Sequence, residues 1–169
     1  MATILQIIGF KNSGKTTLLN ALIRASRKEN YSVSAIKHDA HDFSVDHAGT
    51  DSYSFQENGA EAVVIANSRQ YAVMEQAGID LKTAIQKLPN SDIILVEGYK
   101  EGPFPKIILI REKAEIDLLK NSKAVHKIAT HNPALKEEAI FIGEEKALNA
   151  FAEKLIKEFF YNEIYRITT

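Results

Sequence analysis

The chain has 169 residues, of which 45% are hydrophobic and 25% charged, with a formal net charge of −1 and a pI near 6.5. The balanced charge argues against binding to nucleic acid or to an anionic membrane by bulk electrostatics, and the absence of cysteine excludes disulfides, thiolate zinc sites and iron–sulfur clusters. No apolar run approaches the ~20 residues that cross a bilayer, and the first apolar run leaves no room for a signal peptide, so we expect a cytoplasmic protein.

Apolar, β-branched runs alternate with helical patterns along the chain. The runs predict strands at Thr3–Ile8, Val33–Lys37, Glu61–Ala66, Gln70–Glu75, Asp92–Glu97, Lys106–Arg111, Val125–Thr130 and Ala139–Ile142. Helical spacing of apolar residues predicts helices at Thr17–Glu29, Asp51–Asn58, Asp80–Leu88 and about Glu144–Tyr161. This alternation is typical of an α/β fold, in which helices cover both faces of a mostly parallel sheet. We expect a single domain over residues 1–169, because the length suits one domain and no linker or repeat interrupts the pattern.

One pair of strands differs from the rest. Only three residues separate the runs Glu61–Ala66 and Gln70–Glu75, which is too short for a parallel crossover. We therefore expect an antiparallel hairpin at one edge of the sheet.

The first strand leads into the phosphate-binding motif G-x-x-x-x-G-K-[ST], which Gly9–Thr16 matches at every fixed position. A strand before the motif and a helix after it predict a P-loop of the NTPase type within a three-layer sandwich. Backbone N–H groups of the loop and the helix N-terminus form an anion-binding nest, Lys15 reaches the β- and γ-phosphates, and the Thr16 hydroxyl can bind Mg²⁺. The residues predicted to bind the nucleotide here are Gly9, Lys11, Asn12, Ser13, Gly14, Lys15, Thr16 and Thr17.

A magnesium site at a P-loop also needs a carboxylate at the end of a neighbouring strand. Four apolar residues, Ile93 to Val96, lead directly into Glu97. Because ligands of open α/β sheets gather at the carboxyl ends of the strands, we expect Glu97 to hold Mg²⁺ together with Thr16. Asp92, at the opposite end of this strand, is interpreted as a turn residue.

The segment from Lys37 to His47 is rich in histidine and aspartate and follows the second predicted strand. It is either a mobile switch segment that closes over phosphates, metal or an acceptor, or a polar loop whose histidines merely titrate. Asp39 and Asp42 are the candidate catalytic residues, for contacting magnesium or orienting a water, and the sequence does not choose between them. A transition-metal site is a third possibility, with ligands among His38, His41 and His47.

Two further features bear on ligands. A loop flanked by Lys100, Lys106 and Arg111 could bind a second anion, although solvent exposure is the favoured interpretation for each cation alone. The guanine-reading motif Asn-Lys-x-Asp is absent. Asn132, which follows the Val125–Thr130 strand, is our candidate for reading the base.

Together these motifs resemble the molybdopterin-guanine dinucleotide biosynthesis protein B (MobB) family. The residues that carry the resemblance, besides the P-loop, are Lys37-His38, His41-Asp42, Asp46, Gly49, Asp51-Ser52-Tyr53, Asn58-Gly59-Ala60, Val96-Glu97-Gly98-Tyr99-Lys100 and Pro105-Lys106-Ile107. Where family members often have Lys-Pro-Gly-Lys before Asp-Ser, this chain has His47-Ala48-Gly49-Thr50.

The resemblance implies a GTP-binding adapter of molybdenum cofactor biosynthesis. On this basis we expect Mg-GTP as cofactor, Asp51 as a further nucleotide contact, and molybdopterin as a possible additional ligand. We also expect a homodimer that assists the guanylyltransferase joining GMP to molybdopterin, with weak GTPase activity at most.

Two alternatives come from other functional classes. One is a small P-loop kinase acting on a metabolite, but only five scattered arginines are present and no arginine-rich lid is visible. The other is a metallochaperone GTPase, in which the histidine- and aspartate-rich segment carries the metal.

Overall fold

The protein is described by a computed structural model over residues 2–38, 43–119 and 122–161. The chain divides into two compact units. The first unit holds the described residues up to His38 and those from Leu81 onward, and the second holds those from residue 43 to Asp80. The prediction of a single domain stays a prediction. Within the described ranges, no helix is both long and apolar enough to span a membrane.

The first unit is built on a six-stranded sheet in which every neighbouring pair is parallel. The strands are β1 (Thr3–Gly9), β2 (Val33–Lys37), β5 (Ile93–Glu97), β6 (Lys106–Ile110), β7 (Val125–Thr130) and β8 (Ile140–Phe141). Their order across the sheet is β2-β5-β1-β6-β7-β8, with β1 in the interior between β5 and β6. The prediction of a mostly parallel α/β sheet is confirmed.

The helices of the first unit are α1 (Lys15–Lys28), α3 (Leu81–Gln86), α4 (Ala114–Leu119) and α5 (Glu145–Tyr161), with a short 3-10 helix at Pro133–Leu135. The predicted helices that correspond to α1, α3 and α5 are confirmed. Neither α4 nor the 3-10 helix was predicted, because one or two turns are too short for a periodic pattern to appear.

Residues that alternate along the strands build separate cores on the two faces of the sheet. One face, with Leu5, Ile7 and Leu95 among its residues, packs against α1 and α5. On the opposite face, Ile4 and Val96 pack with α3, while Ile8 and Ile108 pack with α4 and the 3-10 helix. The result is three layers, and strands that are apolar on both faces are what such a sandwich requires.

Two buried polar side chains on this second face support a crossover without a helix. The connection from β5 to β6 passes across β1, where the Gln6 side chain donates to the Gly98 and Tyr99 carbonyl oxygens and accepts from the Phe104 N–H. Lys106 is fully buried and donates to three backbone carbonyl oxygens, those of Gly102, Phe104 and Lys123. The Lys106 ammonium group therefore pairs with backbone carbonyl oxygens of the loops around it. It is neither exposed to solvent nor available to bind a second anion, as the sequence had suggested.

The second unit contains β3 (Ala62–Ala66), β4 (Tyr71–Glu75) and α2 (Asp51–Glu57). The two strands form the predicted antiparallel hairpin, with Val64 directly opposite Val73. They make a two-stranded sheet of their own. The helix begins after Thr50, whose side chain caps it by accepting from the Tyr53 N–H.

Candidate functional site

The P-loop lies at the carboxyl end of β1 and continues directly into α1. Asn12 and Gly14 have φ angles of 62° and 89°, which place both in the left-handed region that tight phosphate loops use. Gly14 is the N-cap of α1, and among the described residues no side chain caps this helix end. The first N–H groups of α1 are therefore available to an anion, and the helix dipole favours negative charge there.

Gly14 has a second reason to be glycine. A Cβ atom built at this position would lie 2.3 Å from Nε2 of His131, the residue that follows β7. At Gly9, a Cβ atom would lie 2.5 Å from the carbonyl oxygen of Leu109 on β6. Both glycines of the motif thus allow the loop to approach the neighbouring strands closely, which packs it against the ends of β6 and β7.

Thr16 and Glu97 meet at the other side of the loop. The Thr16 hydroxyl donates to Oε2 of Glu97 over 3.0 Å, and the glutamate side chain is buried. Glu97 is the last residue of β5 and lies opposite Ile7 of β1, which brings it to the level of the P-loop. A hydroxyl and a carboxylate oxygen are ligands that Mg²⁺ prefers. The residues present at this point fit a magnesium ion.

Lys15 is folded back onto the loop in the structure. Its ammonium group donates to the Phe10 carbonyl oxygen over 2.8 Å. Burial lowers the pKa of Lys15, and the Glu97 carboxylate opposes this shift. Three further cations act in the same direction as burial, namely Lys100, Lys37 and Arg111. The excess of positive charge favours binding of a polyphosphate chain at this place.

Arg111 holds the P-loop from the end of β6. Its Nη1 atom donates to the Lys11 carbonyl oxygen over 3.1 Å. The same guanidinium donates to the buried carboxylate of Glu115 on α4, which also accepts from the Arg111 backbone N–H at 2.7 Å. Both charges of this pair are satisfied within the protein. The sequence named Arg111 only as a possible anion ligand, and the contact with Lys11, 100 residues away, was not predicted.

A cavity of about 360 Å³ lies beside the loop. Its walls come from the P-loop, from α1 and from the ends of β6 and β7: Asn12, Ser13, Gly14, Thr17, Ile110, Arg111, His131 and Asn132. The predicted base-reading residue Asn132 is thus brought next to the predicted phosphate-binding residues. A cavity of this size that opens next to an anion-binding loop can hold the nucleoside part of a nucleotide.

The other residues that the sequence suggested for catalysis, nucleotide binding or metal binding lie in different parts of the chain. Asp39, Asp42 and His41 lie outside the described residues. Asp51 is the first residue of α2 and belongs to the second unit, which is described by itself. His38 follows β2, where its N–H donates to the Glu97 carbonyl oxygen and its ring packs 4.2 Å from that of Tyr99. Over the part of the chain that the structure covers, no three His, Asp or Glu side chains converge as a metal site.

Comparison with known proteins identifies the family. The sequence profile of molybdopterin guanine dinucleotide synthesis protein B (MobB) matches residues 4–131. The chain belongs to this family. The matched range runs from β1 to His131, which follows β7 and lines the cavity, so it contains the P-loop, Glu97 and Arg111 as well.

Relatives and solved structures agree with this assignment. A molybdopterin-guanine dinucleotide biosynthesis adapter protein of Haemophilus influenzae is 37% identical over 134 residues, which is 77% of this chain and 75% of that protein. The adapter protein of Escherichia coli is 35% identical over 68% of this chain and 69% of its own length. A crystal structure of Bacillus subtilis MobB superposes with a TM-score of 0.74 at 23% identity, covering 93% of this chain and 97% of that one. This last likeness shows that the MobB fold extends beyond residue 131.

Sequence reasoning missed His131. It stands in the segment that was singled out for Asn132, but no local pattern distinguishes the two neighbours. The backbone after β7 turns the side chain of His131, and not that of Asn132, towards Gly14. Only the assembled sheet brings the end of β7 next to the P-loop.

Proposed function

We propose that the protein binds Mg-GTP at its P-loop and acts as an adapter in molybdopterin guanine dinucleotide synthesis, assisting the guanylyltransferase that joins GMP to molybdopterin. The hydrogen bond between Thr16 and Glu97, beside an uncapped helix N-terminus, is the observation that carries nucleotide binding. The adapter role is supported by membership of the MobB family and by the names of the relatives.

The start of α1 and Glu97 together hold Mg-GTP in this proposal. The N–H groups at the start of α1 bind the phosphates, and Lys15 exchanges the Phe10 carbonyl oxygen for phosphate oxygens. Thr16 and Glu97 hold the magnesium ion, Glu97 directly or through a water. The metal neutralises part of the phosphate charge, and the excess of cations around Lys15 neutralises more.

GTP as the nucleotide and molybdopterin as a further ligand rest on the family alone. No residue of this chain is assigned to molybdopterin. Asp51 stays a predicted nucleotide contact, and its place in the second unit adds no support for that role.

We expect the protein to hydrolyse GTP weakly at most. A P-loop enzyme that transfers phosphate rapidly needs a free cation at the transferred group, commonly an arginine. Arg111 lies beside the loop, but its guanidinium is bound to Glu115 and to the Lys11 carbonyl oxygen. This arrangement disfavours the kinase alternative. The metallochaperone alternative has no specific observation in its favour.

We also propose that the adapter is a homodimer of the cytoplasm. Val64, Tyr71 and Val73 share one face of the β3–β4 hairpin and are 62%, 76% and 52% exposed. Apolar side chains this exposed on one face are typical of a surface that another protein covers. A second copy of the chain is the partner that the family resemblance favours.

Capture of the partner tests the adapter role. Tagged protein in lysate from a molybdenum-using cell, with Mg-GTP added, is expected to retain a guanylyltransferase, whereas the Lys15→Ala variant should retain less. Failure to retain a guanylyltransferase from a lysate that contains it would contradict the adapter role. Rapid phosphate transfer from GTP to a small acceptor would favour the kinase instead.

A further inference from the structure

Lys100, Lys106 and Arg111 flank one loop of the sequence, and the structure uses them differently. Lys106 is enclosed by backbone carbonyl oxygens, and Arg111 is bound to Glu115. Lys100 is exposed, and among the described residues its ammonium group has no hydrogen-bond acceptor and no carboxylate partner. An anion can therefore reach Lys100 without any movement of the backbone.

Lys100 nevertheless has a defined place against the P-loop. Its Nζ atom lies 4.8 Å from the centroid of the Phe10 ring, a cation–π contact with the residue that follows Gly9. The carbonyl oxygen of the same Phe10 accepts from the Lys15 ammonium group. Burial is the largest cause of the lowered pKa of Lys15, and among the cations that lower it further Lys100 has the largest effect. The two ammonium groups therefore repel each other, and an anion bound between them relieves this repulsion.

A strained turn carries Lys100 to this place. Gly98 and Tyr99 both have left-handed backbone, with φ of 96° and 49°. The buried side chain of Gln6 on β1 donates to the carbonyl oxygens of both residues, and the Gly102 N–H donates to that of Tyr99. Strained backbone that buried hydrogen bonds hold in place is concentrated at functional sites. Because the turn begins directly after β5, it positions Lys100 beside the proposed magnesium site.

Lys100 lies on the metal side of the P-loop and not on the side of the cavity. Among the described residues, the cavity walls include Gly14 and Thr17 but neither Glu97 nor Lys100. Magnesium at a P-loop bridges the β- and γ-phosphates, so the end of the phosphate chain that is farthest from the nucleoside would lie next to Glu97. Lys100 follows Glu97 by three residues. It therefore stands near the terminal phosphate of the proposed nucleotide.

We propose that Lys100 binds the terminal phosphate of the nucleotide and makes the site prefer a nucleoside triphosphate to a diphosphate. The inference rests on the proposed binding of Mg-GTP and adds to it the residue that distinguishes GTP from GDP. The contact is made in bound GTP itself, so it strengthens binding without accelerating phosphate transfer. It is therefore compatible with the weak hydrolysis that we expect.

The affinities for Mg-GTP and Mg-GDP, measured by calorimetric titration, test the role of Lys100. Lys100→Met removes the charge and keeps an unbranched side chain that can cover Phe10. We expect affinity for GTP to fall about tenfold, the size of one lost hydrogen bond to a charged group, and affinity for GDP to fall about twofold or less. Lys100→Arg should recover most of the loss, because it keeps the positive charge. Since the side chain is exposed, thermal melting should be unchanged in both variants.

Lys136→Met is the matched control. Lys136 is also exposed, and its ammonium group lies 4.3 Å from the centroid of the Phe141 ring, so the variant removes the same charge from a similar contact. The ratio of GTP to GDP affinity should stay that of the unaltered protein. Magnesium tripolyphosphate and pyrophosphate repeat the comparison without a nucleoside, and Lys100→Met should lower their affinity ratio as it does that of the nucleotides.

Four results would overturn the proposal. An equal loss of GTP and GDP affinity in Lys100→Met would mean that Lys100 attracts the phosphate chain without distinguishing its terminal group. Unchanged affinities would mean that Lys100 does not contact the nucleotide. A loss of the same size in Lys136→Met would assign the effect to net charge, and no recovery in Lys100→Arg would assign it to something other than the charge of Lys100.

Failure of this inference is distinct from failure of the proposed function. If the unaltered protein bound neither GTP nor GDP, the proposed function would fail and the role of Lys100 with it. If it bound both, and Lys100→Met kept the same affinity ratio, nucleotide binding would stand and only the role of Lys100 would fail.

Discussion

The hydroxyl of Thr16 and the carboxylate of Glu97 are joined by a hydrogen bond of 3.0 Å across 81 positions of sequence. Thr16 stands in the first turn of α1 and Glu97 at the end of β5, and the pairing of β1 with β5 sets their separation. The bond holds the two proposed magnesium ligands next to each other in the protein without a metal. This preorganisation reduces the free energy that ordering the ligands would otherwise cost on binding.

Glu97→Gln is expected to remove most of the magnesium dependence of GTP binding. Glutamine can still accept from Thr16, but it lacks the charge that attracts the cation, and loss of such a group lowers metal affinity by roughly 10- to 100-fold. Dissociation constants for GTP measured with Mg²⁺ and with EDTA provide the readout. Glu101→Gln, which alters an exposed carboxylate nearby, is the control. An unchanged magnesium response would show that Glu97 is not the metal carboxylate.

Lys15→Ala is expected to abolish measurable GTP binding and leave the fold intact. Among the described residues, the side chain donates only to the Phe10 carbonyl oxygen, so its loss removes little from the folded protein but takes away the principal cation of the proposed phosphate site. Binding is measured by calorimetry, and the fold by circular dichroism and thermal melting. Lys28→Ala removes the same charge from the exposed end of α1 and should bind normally. Affinity in Lys15→Ala within twofold of the unaltered protein would rule out the P-loop as the phosphate site.

Gly14→Ala should destabilise the protein more than Gly49→Ala does. Both glycines have left-handed backbone, with φ of 89° and 99°, which costs alanine ~1–2 kcal/mol. A Cβ atom at Gly49 meets nothing within 4 Å, whereas at Gly14 it overlaps His131, and overpacking costs ~1–3 kcal/mol more. Urea unfolding measures both variants. Equal losses of stability would mean that the contact between Gly14 and His131 relaxes without cost.

Val64→Lys is expected to convert a dimer into a monomer. If a second copy covers the hairpin face, a buried, unpaired lysine costs about 2–5 kcal/mol and raises the dimer dissociation constant by about 30-fold or more. Sedimentation velocity over a range of concentrations measures the change. Ile140→Lys, at a 42% exposed residue of β8, is the control for adding a charge at an apolar surface position. A monomeric unaltered protein, or an unchanged dimer in Val64→Lys, would contradict the proposal.

Asp92 is expected to contribute stability that disappears in acid. Hydrogen bonds from the Ser32 hydroxyl and backbone N–H, each 2.7 Å long, hold the pKa of Asp92 below its ordinary value of 3.8. Because the folded-state pKa is lowered, the stabilisation is fully present above pH 3.8 and is lost as the pH falls through the folded-state value.

Unfolding of Asp92→Asn should therefore differ most from that of the unaltered protein near neutral pH, and the difference should shrink in acid. Glu57→Gln, at an exposed carboxylate of α2, controls for the change in net charge. A difference that stays constant across this pH range would mean that the bonds with Ser32 do not favour the charged carboxylate.

Local patterns were sufficient for much of the architecture. Every predicted strand is present, because apolar, β-branched runs bounded by turn residues depend only on neighbouring positions. The P-loop and Glu97 were also predictable, since a motif fixes the first and the direction of a parallel strand places the second at the same end of the sheet. The division into two units was not predicted, because nothing in the composition between residue 39 and Asp80 marks a boundary.

The sequence by itself determined that the P-loop and Glu97 lie at the same end of a parallel sheet. Only the tertiary structure decided which polar side chains hydrogen-bond to the protein's own backbone. Lys106, predicted as a surface cation, is enclosed by three carbonyl oxygens, and Asn132 caps a helix while His131 faces Gly14. Contacts between distant segments, such as that of Gly14 with His131 and that of Arg111 with Lys11, form only when the chain folds. Adjacent residues of similar polarity differ only in the direction in which the folded backbone points them.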